Sequence, residues 1–186
     1  MLLALSGITG VGKSYFAEEI SKKLKFNKVH TIRTRTMRPG EQNGKTGFFM
    51  TEEELKELKK AGDIAYDFQV FGGTYAYKKE EIFSKENYVF EMYYTTIDDW
   101  KKIRPDIVTI YLVPTDIEKA LEQVKKRNLS KEKELERMKE TEQQYKEFMG
   151  NKELQKEFDY IVYNNYDEES EEKILQLIKM LKNTKS

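Results

Sequence analysis

Among its 186 residues the chain has no cysteine, which excludes disulfides, zinc–thiolate centres and thiol nucleophiles. His30 is the sole histidine, so a metal cluster built on histidines is excluded as well, and alone in a strand-like run it reads as structural. There is no excess of either charge: 33 Lys and Arg balance 33 Asp and Glu. No global basic field points to nucleic acid, and no acidic tail points to a solvating role. Apolar runs long enough to span a membrane are absent. Residues 1–5 are too short, and lack the basic leader, for a signal-peptide core, so a cytoplasmic protein is expected. Charged residues make up 35% of the chain and are mixed along helical stretches as solvated faces. Aromatics at 12% help fill a core whose aliphatic content is modest. No internal repeat or low-complexity linker is present, and one α/β unit with insertions is the economical organisation for this length.

What the chain does have begins at Gly7, Ile8, Thr9, Gly10, Val11, Gly12, Lys13 and Ser14. This is G-x-x-x-x-G-K-S, the phosphate-binding P-loop pattern. An apolar run suited to a buried strand, Leu2 to Leu5, precedes it, and Phe16, Ala17, Ile20 and Leu24 follow at helical spacing. Strand, glycine loop and helix put successive backbone N–H groups and the positive end of the helix toward an anion. Lys13 is placed to reach terminal phosphates and the Ser14 hydroxyl to ligate Mg²⁺. ATP with Mg²⁺ is therefore the expected ligand.

Further along, the first helix should run over about 13–25, and 29–32 reads as a second short strand. Arg33, Arg35 and Arg38 lie within six residues, followed by the turn residues Pro39 and Gly40. Guanidinium groups gathered in a loop suit bidentate capture of phosphate; a solvated basic loop is the alternative that the residues alone leave open. Thr51 to Glu54 forms a capping box for a short helix with Leu55 and Leu58 on one face and Gly62 closing it. Residues 64–77 favour strands broken at Gly72 and Gly73 as a hairpin. This interrupts the strand–helix alternation as a small α+β insertion. Residues 88–94 and 107–113 read as buried strands, with Glu91 near the C-terminal end of the first, where open α/β sheets place ligands. Thr96 is expected to cap a short helix ending by Arg104 and Pro105. Thr115 to Glu118 reads as another capping box, opening a helix whose stripe is Ile117, Leu121 and Val124. Residues 125–145 are highly charged and should form helix, turn, helix standing off the core. Arg127 and Arg137 there are candidates to meet phosphate, with a solvated helical face equally compatible with the composition. Residues 159–163 read as the last strand, and Ile174, Leu177, Ile178 and Leu181 line a C-terminal helix.

P-loop, arginine–glycine segment, α+β insertion and charged helical segment, in this order, resemble guanylate kinase over nearly the whole chain. The most specific part is Arg35-x-x-Arg38-Pro39-Gly40-Glu41-x-x-Gly44, similar to that family's R-x-x-R-x-G-E-x-x-G. Phe158-Asp159-Tyr160 and Asn164 look like its closing strand and the loop after it. The resemblance implies a P-loop NTPase fold: a parallel-sheet core flanked by helices, an α+β nucleoside-monophosphate-binding insertion and a helical lid. One domain is then expected, with core at about 1–31, 87–124 and 146–186, insertion at about 32–86 and lid at about 125–145. It also implies that Asn164 joins the P-loop in holding ATP and that Arg35, Arg38 and Tyr75 hold the acceptor's phosphate. Thr31 would stand in the base pocket and Glu91 near metal and acceptor. Arg127 and Arg137 would close over the reaction, so that Lys13, Arg38, Arg127 and Arg137 form the catalytic set.

The chain departs from that family at the base pocket. Tyr66 stands where the family has a glutamate and Tyr93 where it has an aspartate. Gly47 stands where the family has a phosphate-binding tyrosine, and Tyr77 where it has a small hydroxyl residue. Asp67 is a substitute for the lost glutamate only if the register slips by one residue, because in a strand it faces the other way. The expected activity is ATP-dependent phosphoryl transfer to a nucleoside monophosphate, GMP or dGMP by default. A kinase of this fold acting on another phosphorylated small molecule, such as a ribose bisphosphate, would need no base carboxylates. A non-catalytic module binding protein partners would need no ATP site, and the intact P-loop weighs against it.

Overall fold

The computed structural model describes every residue except Pro39, Phe71, Asn128, Lys185 and Ser186. The apolar strand β1 (Leu2–Gly7) lies at the centre of a five-stranded sheet. It pairs in parallel with β7 (Tyr88–Glu91) on one side and β8 (Val108–Pro114) on the other. The sheet is completed by β2 (Asn27–Lys28) beside β7 and β9 (Tyr160–Asn164) beside β8, in the order β2-β7-β1-β8-β9, all parallel. A parallel sheet needs cover on both faces, and the period-two alternation of the strands supplies both. Leu3, Leu5, Val89, Ile110 and Leu112 pack against Phe16, Ala17 and Ile20 of α1 (Lys13–Leu24) and Ile174, Ile178 and Leu181 of α8 (Glu168–Thr184). On the opposite face Leu2, Ala4, Phe90, Tyr111 and Val113 meet Ile97 and Trp100 of α4 (Ile97–Ile103), and Phe148 of α6 (Lys131–Gly150) stacks on Tyr111. Because β1 has neighbours running off in both directions, a crevice opens at the carboxyl ends of these strands.

A second sheet carries the insertion, in the order β4 (Phe48–Phe49), β3 (Ile32–Arg33), β6 (Gly73–Lys78), β5 (Ile64–Val70). β3–β6 and β6–β5 are antiparallel, and β3–β4 is parallel. Helix α2 (Glu52–Ala61) packs on it through Leu55. Its capping box is formed as read from the sequence: the Thr51 hydroxyl accepts the Glu54 N–H, the Glu54 carboxylate accepts the Thr51 N–H, and Gly62 closes the helix in the left-handed conformation. The short helix α3 (Lys79–Ile82) leads from β6 back to β7.

Several local expectations are corrected. The run 29–32 is not one strand: β2 ends in the core sheet, β3 begins in the other, and Val29 still donates to Val89 O. The run 88–94 ends as a strand at Glu91, and Tyr94–Thr96 form a 3-10 turn. Thr96 stands at the N-cap of α4 as expected, but its side chain makes no capping bond; its hydroxyl donates to Tyr93 O. Helix α5 (Ile117–Lys125) is capped by Asp116, which accepts the Glu118 N–H, rather than by a box on Thr115. Thr115 instead bonds Asn165 across to the next loop. Ala120 joins Leu121 and Val124 as the fully buried stripe, with Ile117 half-buried. After α5 a turn leads into α6, a single helix that runs on through position 145 to Gly150, and the short α7 (Lys152–Lys156) follows before β9. No helix among the described residues is long and apolar enough to cross a membrane.

Candidate active site

The glycine loop sits where β1 ends. Gly10 and Gly12 are left-handed, at φ +85° and +98°, and a Cβ on Gly10 would lie 2.3 Å from the Ala120 carbonyl of α5. Only glycine lets the loop approach α5 this closely. No side chain caps the start of α1, and its first turn has no acidic residue, so the positive end of the helix is left for an anion. The Lys13 ammonium donates to Gly7 O and Ile8 O, both at 2.8 Å. Burial lowers its pKa to about 8, against the raising influence of the Glu91 carboxylate and with a further push down from the Arg127 charge. Around this loop lies a cavity of about 700 Å³ lined by Gly12, Lys13, Ser14, Glu91, Arg127 and Tyr166, among others.

Asn164 lines this cavity, as expected from the sequence, with its amide engaged by the loop. It is 4% exposed, its Nδ2 donates to Val11 O at 3.0 Å, and its Oδ1 accepts the Tyr166 N–H at 2.9 Å. It works as a strut from β9 to the P-loop. From the same loop Tyr166 reaches the cavity, together with Asp167 and Glu168; its hydroxyl donates to Gly10 O at 3.2 Å and its φ of +60° turns the chain there. Sequence reasoning missed it, since a lone tyrosine after a strand carries no local signal.

The end of β3 and the loop that leaves it present the arginines. Residues beyond β3 are pinned by Thr34, whose N–H donates to Thr74 O at 3.0 Å, and by Glu52, which accepts both threonine hydroxyls. The Arg35 guanidinium is then held at both ends: Nε donates to the Tyr75 hydroxyl, and both Nη atoms donate to Glu41, each at 2.7 Å. Glu41 also accepts the Arg38 backbone N–H at 2.7 Å, which folds the loop into one unit; Pro39 of the motif lies outside the described residues. Burial would raise the Glu41 carboxyl. The Arg35 and Arg38 hydrogen bonds and the charges of Arg35 and Arg33 outweigh it and hold the pKa at about 2. Arg38 is depressed by partial burial, then by the charge of Arg35, with Arg137 adding to it. Arg137, on α6, bonds Glu140 at 2.7 Å, so the two arginines stand within each other's field. A second cavity, of about 340 Å³, is lined by Arg33, Glu41, Lys45, Ser14 and Glu91, among others; Arg35, Arg38 and Tyr75 do not line it, and Glu41 connects it to their loop. Ser14 and Glu91 line both cavities; the two spaces meet at these side chains.

The positions corresponding to a base pocket form an aromatic wall. Tyr66 turns its hydroxyl to Asp99 of α4 at 2.8 Å and meets the edge of Trp100. The Tyr93 ring stacks on Phe68, with centroids 6.3 Å apart. Tyr77 is buried between Phe68, Tyr66, Phe90 and Trp100, and the Thr31 hydroxyl is bonded to its phenol. Asp67 faces away and pairs with Lys59 at 2.5 Å. The pairing shifts register between Ile64 and Tyr66, yet Tyr66 still lies opposite Tyr77.

The family model described as guanylate kinase matches residues 1–181. The chain belongs to the guanylate kinase family. Among curated relatives, the guanylate kinase of Wolbachia pipientis wMel is 31% identical over 192 residues, covering 96% of this chain and 89% of its own. That of the Wolbachia of Brugia malayi is 29% identical, covering 96% and 91%. The crystal structure of guanylate kinase from Anaplasma phagocytophilum superposes with a TM-score of 0.70 at 19% identity, covering 97% of this chain and 85% of that one. That likeness identifies the fold, a P-loop NTPase with a parallel sheet flanked by helices. As a guanylate kinase family member the chain is a nucleoside-monophosphate kinase, a phosphotransferase that binds nucleotides.

Proposed function

We propose that the protein transfers the γ-phosphoryl group of ATP to the phosphate of GMP or dGMP, giving ADP and a nucleoside diphosphate. One observation carries this: the P-loop cavity and the cavity lined by Arg33 and Glu41 meet at Ser14 and Glu91, so two anionic ligands would lie with their phosphates adjacent. Phosphoryl transfer needs little more than positioning and positive charge around the moving group. Lys13 and Arg127 supply it on the donor side, and Arg35 and Arg38 on the acceptor side, with Tyr75 fixing Arg35. Arg137 stands within the field of Arg38, and the segment at about 125–145 acts as the lid, bringing Arg127 and Arg137 over the site and excluding water. Residues at about 32–86 serve as the acceptor-binding unit. No general base is required, because a phosphate oxygen is already anionic.

Mg²⁺ fits the oxygen donors present. Among the described residues no cluster of three or more histidine or carboxylate side chains forms a metal cage, and Mg²⁺ with a nucleotide commonly takes one or two protein oxygens, phosphates and waters. Ser14 would hold it with Glu91 nearby, and the ion would neutralise charge on the phosphates.

A second reading is favoured by Tyr77, a buried ring at the base wall, and by Tyr66, whose hydroxyl is taken by Asp99. Acceptors with a phosphate but without guanine suit such a wall. ADP release with ATP and Mg²⁺, measured against GMP, dGMP, AMP, CMP, UMP, dTMP and ribose phosphates, with Lys13→Ala as the control, separates the two. Turnover of GMP that is lost in the variant supports the first reading, and turnover only of another acceptor supports the second. Silence without ATP binding refutes both and leaves a protein-binding module.

A further inference from the structure

Among the described residues Arg33, at the acceptor cavity, has no anionic partner, and its guanidinium is fixed where the ammonium of a flexible lysine such as Lys45 is not. Arg33 closes β3, opposite Phe49 of β4 and Tyr75 of β6. Its Cζ lies 5.5 Å from the centre of the Phe49 ring and 5.8 Å from that of Tyr75. These contacts fix the guanidinium plane, and Nη1 donates to Thr46 O at 2.7 Å. Among the described residues that is the only hydrogen bond it makes: Nε is buried with no partner, and no carboxylate lies within 4.0 Å. Glu41 is near enough to feel its charge, but the Glu41 oxygens are occupied by Arg35 and the Arg38 N–H. A half-buried guanidinium with unused donors bears a desolvation cost that an anion would offset.

The backbone beside it is shaped to admit it. Gly47 has φ +148°, and a Cβ there would lie 2.4 Å from Arg33 Nη1 and 2.7 Å from Thr31 O. Any larger residue at 47 would displace the guanidinium, so Arg33 and Gly47 act as a pair. Both line the cavity that also holds Ser14, Glu41 and Glu91.

We infer that Arg33 is an additional anion-binding residue of the acceptor cleft, seated by Gly47 and directed at the phosphate of the acceptor. This rests on the proposed reading of that cavity as the acceptor's. It adds to the Arg35–Tyr75 clamp a guanidinium with no carboxylate of its own, so the cleft selects acceptors by phosphate charge.

The test is titration of the full chain with inorganic phosphate, after the P-loop is filled with Mg²⁺ and a non-hydrolysable ATP analogue, followed by calorimetry. Arg33→Gln is expected to weaken phosphate binding about tenfold or more, as loss of a charge-assisted contact does, with the analogue's affinity unchanged. Arg33→Met, which keeps the stem against Phe49 and Tyr75 but removes the charge, is expected to do the same and serves if Arg33→Gln does not fold. Wild-type phosphate affinity in either folded variant overturns the inference. Equal weakening of phosphate and analogue also overturns it, because Arg33 would then act on the fold. Failure of all acceptors to turn over would remove the proposed activity, yet a phosphate site lost in Arg33→Gln would still stand.

Discussion

Lys13 makes nucleotide binding weaken as the pH rises above neutrality. In the nucleotide-free protein burial holds its pKa at about 8 instead of the ordinary 10.5, whereas a bound triphosphate requires the ammonium. The perturbation is pH alone. If binding needs the protonated form, affinity follows the protonated fraction of the free protein, which falls about tenfold between pH 7 and 9 and about tenfold per unit beyond. Stability runs the other way. Between about 8 and 10.5 the unfolded chain holds the Lys13 proton and the free folded chain does not, so the folded state gains with rising pH across that window. The gain is on the order of 3 kcal/mol when complete. Calorimetry of the ATP analogue with Mg²⁺ at pH 7, 8 and 9, in buffers of different ionisation enthalpy, should show weaker binding and growing proton uptake. Urea unfolding of the free protein should show the opposite slope, and Lys13→Met should flatten both. Affinity that stays level from pH 7 to 9 would refute the reasoning, because the ammonium would then already be stabilised without the nucleotide.

Tyr75→Phe removes the acceptor of the Arg35 Nε bond; a loss of about 1.5 kcal/mol for a charge-assisted bond predicts an acceptor KM about tenfold higher with ATP KM unchanged. Tyr93→Asp restores a carboxylate beside Phe68 and is expected to raise kcat/KM for GMP relative to AMP, which an acceptor panel checks. Trp100→Ala empties a fully buried site bordered by Tyr66, Tyr77 and Phe90; it should cost about 3–5 kcal/mol in urea unfolding.

Local chemistry made much of this molecule legible in advance. The spacing of Gly7, Gly12, Lys13 and Ser14 and the Thr51–Glu54 box each need only neighbours in sequence, and each formed; the hairpin expected at Gly72 and Gly73 joins β5 to β6, but Gly73 is already in β6, paired with Val70. The readings that changed depend on partners far along the chain. Residues 29–32 are continuous in pattern, but the chain leaves one sheet for the other there. Thr115 is drawn to Asn165, leaving Asp116 as the cap. Asn164 is directed at the P-loop backbone by its place at the end of β9, and Tyr166 enters the donor cavity only because of that bend. Arg33 read as one of three clustered arginines; its lack of an anionic partner depends on Thr46, Gly47 and Glu41 folding back around it.

On the face covered by α2 the second sheet has, among the described residues, a core of three fully buried side chains, Ile32, Leu55 and Ala76, beneath partly covered Phe48, Met50, Leu58 and Ile64; its other face adds the buried Tyr77, while β1 and β8 are buried almost throughout. Opening free energy follows buried apolar contact. Backbone amides of β3 and β6 should therefore exchange with deuterium sooner than those of β1 and β8, as a cooperative unit of their own. The acceptor arginines are mounted on the part of the molecule that is cheapest to loosen, and a ligand spanning both sheets would be recorded first as slowed exchange there.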